Sequence, residues 1–337
     1  QTDRGPLMLP LGSTVAHALT LLLNDTGQTD AMATALNGQF VPRREREQVV
    51  LNEGDTLLCF AAITGGRPMT ESNSPWQLGD VTLHSRFLLG TAQYPSPQVL
   101  QEAIGASGAQ VLTLGLKRTL AVPGGGDNGF VEIIRRCAQA QGAHLLPNTA
   151  GCRSAREAIT LAHMARELLN THWIKLEVVG DEQTLQPDPI ELIEAARQLV
   201  NDGFEVLPYC TDDLVTCLRL VDAGCRVLMP WGAPIGSGLG LLNPWALRTL
   251  RARLPHTTLI VDAGLGAPSH ATAAMELGMD AVLLNSAVSQ SGDPVRMARA
   301  FRHAIEGGRA GFEAGLMPTC DVAVATTPVG GQPFVLI

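Results

Sequence analysis

The segment WIKLEVVGD, residues 173–181, carries the pattern that decides the fold of most of the chain. Its apolar residues are typical of a short strand buried on both faces, yet Lys175 and Glu177 lie inside it. Because residues i and i+2 of a strand point to the same face, both ionisable side chains would leave the strand on one side. Such a pair is either a structural ion pair or part of an active site.

The same unit, a short apolar strand followed by a helical pattern, repeats on both sides of this segment. We predict strands at 87–90, 111–116, 144–147, 173–179, 205–208, 226–230, 259–262 and 281–284. We predict helices at 97–104, 130–139, 155–168, 189–200, 212–221, 244–250 and 269–277. Strands that alternate with helices in this way indicate an α/β fold, and eight of them predict a (β/α)8 TIM barrel over residues 85–320. A doubly wound open sheet is the alternative, because periodicity does not establish closure.

Residues 1–66 do not repeat this strand–helix unit, and their pattern predicts a small α+β domain. A capped apolar helix over 15–23 is followed by two short strands joined by Asn37 and Gly38, which is a strong hairpin signal. A last strand runs into Gly65 and Gly66. The Pro- and Ser-rich residues 67–84 are interpreted as a linker, and residues 321–337 as a C-terminal tail.

Composition narrows the class of protein. The net charge is −8 with no basic cluster, which argues against nucleic acid as a partner. No apolar run approaches the length of about 18 residues expected of a membrane helix, and the N-terminus predicts no signal peptide. Seven cysteines without a C-x-x-C pair indicate a reducing compartment. We therefore expect a cytoplasmic protein with no metal site and no cofactor.

Polar residues gather at the carboxyl ends of the predicted strands, which is where barrels carry their chemistry. Lys175 is a candidate nucleophile, since a buried lysine has a depressed pKa and its free amine can attack a carbonyl to form an imine. Glu177 and Asp262 are candidate acid–base groups at the same end of the barrel. The structural alternatives are an ion pair at Lys175 and a helix cap or loop brace at Asp262.

Three loops that follow successive strands are candidates for phosphate binding. They are PIGSGLG at 234–240, AGLGAP at 263–268 and NSAVS at 285–289. Glycine lets backbone amides approach an anion closely. In barrels, the phosphate site is frequently formed by the loops that follow the last two strands. The predicted binding residues are Gly236, Ser237, Gly238, Gly264, Gly266, Asn285 and Ser286. Plain turn chemistry is the alternative.

Several stretches of the chain carry a family resemblance. In the barrel region they include LPNTAGC (146–152), WIKLEVVGD, LQPDP (185–189), GFEVLPYCTDD (203–213), VDAGLGAPSHATAAMELGMDAVLLNSAVS (261–289), DPVRMARA (293–300) and AGLMP (314–318). With these stretches the barrel region resembles the thiazole synthase family of thiamin biosynthesis. In the N-terminal region they are GSTV, ALNGQFVPR, GDTLLCF and the Gly-Gly ending, and this region resembles the ubiquitin-like thiamin sulfur carrier with a β-grasp fold. The whole chain thus resembles a carrier fused to a synthase, and the β-grasp order implies a further strand ahead of Gln1.

The resemblance implies a reaction and its partners. Lys175 matches the lysine that forms an imine with 1-deoxy-D-xylulose 5-phosphate, and Glu177 and Asp262 match acid–base carboxylates. A carrier thiocarboxylate, made with an adenylating enzyme, would supply sulfur. Dehydroglycine from a partner oxidase or lyase would supply carbon and nitrogen before the ring closes with loss of water. We also expect a homo-oligomer.

The sequence departs from the family pattern in ways that leave alternatives open. Gln93 and Trp231 replace the usual lysine and leucine, and AGR becomes AGL at 314–316. Gly66 is followed by Arg67, so its carboxyl group lies in a peptide bond. Either the chain is cut there, or a separate carrier acts, or residues 1–66 only dock. The barrel could also be an imine-forming aldolase or isomerase that acts on another sugar phosphate.

Overall fold

The computed structural model describes residues 7–22, 32–61, 74–116 and 128–324. The chain forms two compact units, the first made of residues 1–70 and 318–337 and the second of residues 71–317. The predicted carrier tail at Gly65 and Gly66 lies outside the described residues.

The first unit contains helix α1 (Val15–Leu22) and strands β1 (Met32–Leu36), β2 (Gln39–Val41) and β3 (Leu57–Ala61). The strands form an antiparallel sheet in the order β2-β1-β3. The predicted turn at Asn37 and Gly38 is confirmed, since Leu36 pairs with Gln39 and both turn residues have positive φ. One apolar face of the helix packs on the sheet through Val15, Ala18, Leu19, Met32, Val41 and Leu57.

The second unit is a closed barrel of eight parallel strands, as the strand pattern predicts, and the open-sheet alternative is excluded. The strands are β6 (Phe87–Gly90), β7 (Val111–Gly115), β8 (His144–Asn148), β9 (Trp173–Leu176), β10 (Glu205–Cys210), β11 (Val227–Pro230), β12 (Thr258–Asp262) and β13 (Ala281–Leu284). β13 pairs with β6 and closes the barrel. Closure brings the carboxyl ends of all eight strands to one face.

Helices follow the barrel strands and shield their outer faces. They are α2 (Pro97–Ser107), α3 (Asn128–Gln141), α4 (Ala155–Leu169), α5 (Pro189–Asn201), α6 (Leu214–Asp222), α7 (Pro244–Arg253), α8 (Pro268–Glu276), the short α9 (Ser286–Ser289) and α10 (Pro294–Ala314). Side chains such as Ser96, Ser154 and Asp188 cap the first turn by accepting backbone N–H bonds. These caps fix where the three helices α2, α4 and α5 begin after their strands.

Each barrel strand contributes to two apolar layers. Inward side chains form an interior cluster that contains Leu88, Val111, Leu146, Trp173, Leu207, Val227, Met229, Ile260, Ala281 and Leu283. Outward side chains pack against the helices in a larger cluster. Burial on both faces explains why these strands have continuous apolar sequences.

The end of the predicted linker differs from the prediction. Strands β4 (Trp76–Leu78) and β5 (Val81–Leu83) form an antiparallel hairpin within residues 67–84. Trp76, Leu78 and Leu83 are buried with the interior cluster, and the Trp76 Nε1–H donates to Ser85 O at 3.0 Å. Three-residue apolar strands next to a Pro- and Ser-rich stretch give too weak a local pattern, so tertiary burial decides this structure.

Candidate active site

Lys175 lies between two carboxylates at the carboxyl end of the barrel. Its Nζ is 3.1 Å from Glu177 Oε1 and 2.6 Å from Asp262 Oδ2. All three side chains are more than nine-tenths buried. The ammonium therefore forms two close, buried ion pairs, which leave it little freedom to move. The structure therefore brings together the three residues that the sequence proposes as catalytic, although they come from different strands.

Thr149, directly after β8, holds the end of β9 in place. The Glu177 N–H donates to Thr149 Oγ1 at 2.7 Å, and the Thr149 hydroxyl donates to Glu177 O at 2.8 Å. The Thr149 N–H donates to Lys175 O at 3.1 Å. Beyond Leu176, the Thr149 side chain takes the place of the backbone hydrogen bonds between β8 and β9. β9 therefore ends earlier than the predicted 173–179. The same bonds hold the backbone between the two ionisable residues.

The charge state of the site corrects one expectation. Burial acts to lower the pKa of Lys175, but the charges and hydrogen bonds of Asp262 and Glu177 outweigh burial and raise the pKa above the ordinary lysine value. Burial, together with the charge of Glu177, raises the pKa of Asp262 despite the opposing charge of Lys175. The lysine is therefore an ammonium in the free site, and the expectation of a resting free amine is wrong. A nucleophilic amine requires proton transfer to a neighbouring carboxylate.

A cavity of about 820 Å³ opens above this cluster. Lys175, Glu177 and Asp262 line it. The other lining residues include Gly90, Gln93, Thr113, Asn148, Gly236, Gly238, Gly264, Gly266, Asn285, Ser286 and Gln290. The volume is within the range of small-ligand sites.

The glycine loops meet at one side of this cavity. Gly236, Gly238 and Gly264 have φ values of 76°, 66° and 77°, which L side chains rarely adopt. In the described chain, none of their three N–H groups donates to a protein acceptor. Ser237 is different, because its N–H donates to Pro234 O and it does not line the cavity. The predicted phosphate site therefore stays a prediction, with six of its seven residues around one cavity.

Replacing Gly264 by alanine should disturb the site far more than the same change at Gly236. Both have similar φ values, but a Cβ at Gly264 would lie 2.4 Å from Ala233 N, whereas Gly236 has open space. We expect Gly236→Ala to cost about 1–2 kcal/mol for its left-handed backbone. Gly264→Ala should cost more and should weaken binding of inorganic phosphate, measured by calorimetry alongside thermal unfolding. Equal effects of the two variants would contradict this account of the loop.

Gln93 and Gln290 line the cavity, although the sequence pattern did not predict them as binding residues. The Gln290 Nε2–H donates to Gln93 Oε1 at 3.0 Å, and both line the cavity. Gln93 has a φ of 65°, so the chain turns sharply after β6. Gln290 directly follows α9, and no local motif distinguishes it from a surface residue. Trp231, which directly follows β11, donates from Nε1 to Asp212 Oδ1 at 2.9 Å.

Fold and site together define a class: an enzyme with a (β/α)8 barrel and a lysine–carboxylate centre at the carboxyl ends of the strands. Residues 77–328 match the family described as thiazole biosynthesis protein ThiG, and residues 6–66 match the ThiS family. The chain therefore belongs to the thiazole synthase family of thiamin biosynthesis and carries a ThiS-type domain ahead of the barrel. This assigns the β-grasp fold to the first unit, as the resemblance implies.

Two curated relatives are similar to this chain over nearly all of their own length. The thiazole synthase of Coxiella burnetii (strain RSA 331 / Henzerling II) is 58% identical over 261 residues, which is 77% of this chain and 98% of that protein. The thiazole synthase of Bradyrhizobium sp. (strain ORS 278) is 59% identical over 257 residues, covering 76% of this chain and 96% of that protein. These alignments make the chain an enzyme of this family.

Solved structures add support for the fold. The structure of the Amycolatopsis orientalis BexX/CysO complex matches with a TM-score of 0.65 and 30% identity, covering 74% of this chain and 100% of that chain. A structure of mandelate oxidase with (S)-2-phenylpropionate matches with a TM-score of 0.50 and 14% identity, over 74% of this chain and 79% of that one. At that identity the second match shows the barrel fold alone.

The described residues contain neither a metal-binding cluster nor a membrane-spanning helix. No group of three or more His, Cys, Asp or Glu side chains there is arranged to hold a metal ion. In the same ranges, no helix combines the length and apolar character needed to cross a bilayer.

Proposed function

We propose that the chain forms thiazole phosphate from 1-deoxy-D-xylulose 5-phosphate, dehydroglycine and a carrier thiocarboxylate, through an imine on Lys175. The observation that carries the proposal is the Nζ of Lys175 held at 2.6 Å and 3.1 Å from two buried carboxylates at the floor of a cavity. Family membership supports the overall reaction, and the geometry supports the use of lysine as the nucleophile.

The first step is proton transfer from Lys175 to Asp262. Asp262 is the nearer carboxylate, and its raised pKa makes it the better acceptor of the proton. The freed amine attacks the ketone carbon, and the carbinolamine oxygen takes up a proton and leaves as water. The product is an iminium on Nζ, and the proton on Asp262 is available for the departing hydroxyl.

Glu177 is the proposed acid–base group for the following isomerisation. Its Oε1 lies 3.1 Å from Nζ, and both residues face the cavity. An iminium acidifies the neighbouring C–H bond, so a carboxylate beside it can remove that proton and return it to another carbon. The thiocarboxylate would then exchange its sulfur for the oxygen of the carbonyl formed in this way, and the carrier would leave as its carboxylate. The nitrogen of dehydroglycine would displace Nζ from the adjacent carbon, which frees Lys175. Ring closure with loss of a remaining hydroxyl would release water.

The phosphate would bind at the glycine loops. Gly236, Gly238 and Gly264 present N–H groups that have no acceptor among the described residues, and Ser286 and Asn285 lie on the same cavity. Backbone N–H groups bind phosphate without net positive charge, which agrees with the net charge of −8. Anchoring the phosphate would leave the ketone end of a sugar phosphate to reach Lys175.

The sulfur carrier is either residues 1–66 of this chain or a separate protein. A carrier works through a free carboxyl terminus that an adenylating enzyme activates, whereas Gly66 precedes Arg67 here. Residues 1–66 would therefore act after cleavage, or would serve as a docking domain.

Homo-oligomeric assembly, a cytoplasmic location and a partner oxidase or lyase for dehydroglycine belong to the same proposal.

Mass spectrometry after mixing the full chain with 1-deoxy-D-xylulose 5-phosphate and borohydride tests the imine. We expect a reduced adduct on the peptide that contains Lys175, because borohydride converts an iminium to a stable amine. The intact mass of the same sample reports whether the chain is cut after Gly66. Absence of an adduct would reject the imine mechanism.

Sulfur dependence separates this proposal from an imine-forming aldolase or isomerase. Such an enzyme would use the same lysine and phosphate loops but would turn over without a sulfur donor. We expect product only when sulfide or a carrier thiocarboxylate is supplied together with a source of dehydroglycine. Turnover of the sugar phosphate alone to a released product would favour the alternative.

A further inference from the structure

Tyr209 lies beside the lysine–carboxylate centre. It belongs to β10 and pairs with Met229 of β11, a residue of the barrel interior. Residues paired across parallel strands point to the same face, so the Tyr209 side chain lies inside the barrel. Its ring centroid is 5.8 Å from Lys175 Nζ, and the lysine cation lies over the ring face.

The hydroxyl of Tyr209 is buried and uncommitted. The residue is 2% exposed, and its Oη has no hydrogen-bond partner in the described part of the chain. A buried polar group without a partner costs about 1–3 kcal/mol. Tyr209 does not line the cavity, so a substrate in the cavity does not reach the hydroxyl directly. The neighbouring carboxylates are the protein groups whose charges act on this hydroxyl.

The charges around Tyr209 favour a neutral hydroxyl that donates. Burial, followed by the negative charges of Asp262 and Glu177, raises the pKa of Tyr209 above the ordinary tyrosine value. The hydroxyl therefore keeps its proton, and both nearby carboxylates are natural acceptors for it. In the free site both carboxylates form ion pairs with Lys175, and the Tyr209 hydroxyl donates to neither of them.

Imine formation changes the number of donors on Nζ. An ammonium carries three N–H bonds, whereas a protonated imine on Nζ carries one. One N–H cannot serve Glu177 and Asp262 at their present distances, so one carboxylate loses its donor when Lys175 reacts. An unpaired buried carboxylate is costly, and a nearby uncommitted hydroxyl relieves that cost.

We propose that Tyr209 is a positioning residue of the reaction: its hydroxyl donates to the carboxylate that Lys175 leaves when it becomes an imine. The inference rests on the proposed function, because it requires the imine. It assigns Tyr209 no contact with the substrate. Its effect is to hold the released carboxylate, Asp262 or Glu177, in place and charged for the next proton transfer.

Tyr94 provides a matched control, since it is the other tyrosine of the chain. Its hydroxyl is also buried without a partner in the described chain. Burial alone raises the pKa of Tyr94, with no contribution from a carboxylate. Tyr94→Phe and Tyr209→Phe therefore remove the same kind of group, and only the second removes one beside the acid–base centre.

The experiment compares the full-length wild type, Tyr209→Phe and Tyr94→Phe. Timed borohydride trapping with 1-deoxy-D-xylulose 5-phosphate gives the rate of imine formation across a range of pH, and thermal unfolding gives stability. We expect Tyr209→Phe to trap about tenfold more slowly, as for one hydrogen bond to a charged group. Without the donor the pKa of the released carboxylate rises in the imine state, so the pH profile of substrate C–H exchange with deuterated water should move to higher pH. Tyr94→Phe should match the wild type.

Stability separates this role from a structural one. Removing an unpaired hydroxyl should leave the unfolding temperature of both variants unchanged or raised. If Tyr209→Phe matches Tyr94→Phe in trapping rate and pH profile, the inference is overturned. A slower Tyr209→Phe with a lowered unfolding temperature and an unchanged pH profile also overturns it. If the wild type gives no adduct, the proposed function itself fails.

Discussion

Lys175→Ala is expected to abolish the borohydride-trapped adduct and the formation of thiazole phosphate. The amine is the atom that bonds to the ketone carbon, and no other lysine lines the cavity among the described residues. Loss of a covalent nucleophile leaves only the contribution of substrate binding, so we expect turnover to fall by at least about 10³-fold. Single-turnover assays with mass spectrometry of the trapped peptide measure both losses.

Lys175→Arg is the matched control for charge. It keeps a cation between Glu177 and Asp262, but a guanidinium does not lose its proton and forms no imine. We expect no adduct with this variant and a stability closer to wild type than that of Lys175→Ala. Thiazole phosphate formed at the normal rate by either variant would refute the mechanism.

Stability should respond to pH in Lys175→Ala. Without the ammonium, Glu177 and Asp262 are two buried carboxylates with no opposite charge, and breaking a buried ion pair typically costs about 3–5 kcal/mol. A raised carboxylate pKa gives stability that is present at low pH and lost as the pH rises through the folded-state pKa. The deficit relative to wild type should therefore shrink from pH 8 to pH 5 in denaturant titrations. A pH-independent deficit would contradict this.

Asp262→Asn is expected to slow imine formation more than Glu177→Gln does. Asp262 is the nearer acceptor, at 2.6 Å against 3.1 Å, and its raised pKa suits it to receive the lysine proton. Loss of a general base typically costs about 10²–10⁴-fold, so trapping should slow within that range in Asp262→Asn. Pre-steady-state trapping gives the rate, and calorimetric binding of the sugar phosphate should remain close to wild type.

Glu177→Gln should affect the step after imine formation and not imine formation itself. We expect the adduct to form nearly as fast as in the wild type, but to persist, because the isomerisation that follows lacks its proton acceptor. Its readout is exchange of the substrate C–H hydrogens with deuterated water, which should fall sharply. If Glu177→Gln loses adduct formation and Asp262→Asn retains it, the two roles are exchanged.

Local sequence predicts the barrel strands because each is a short apolar run followed by a helical pattern. The bounds at Phe87–Gly90 and Ala281–Leu284 are as predicted, and others shift by a few residues. β9 ends at Leu176 instead of residue 179 because Thr149 takes over the hydrogen bonds of Glu177. That exchange depends on a side chain 28 positions away, which strand periodicity does not report.

The sequence by itself determined the order of strands and helices, the two-residue spacing of Lys175 and Glu177, and the family resemblance, because these depend on residues close together in the chain. Only the tertiary structure closed the barrel, buried the 76–83 hairpin and brought Asp262 to within 2.6 Å of Lys175. It also reversed the expected direction of the lysine pKa. Burial of one residue can be inferred from its neighbours in sequence, but the balance between desolvation and the charges of distant residues depends on distances that only the folded chain fixes.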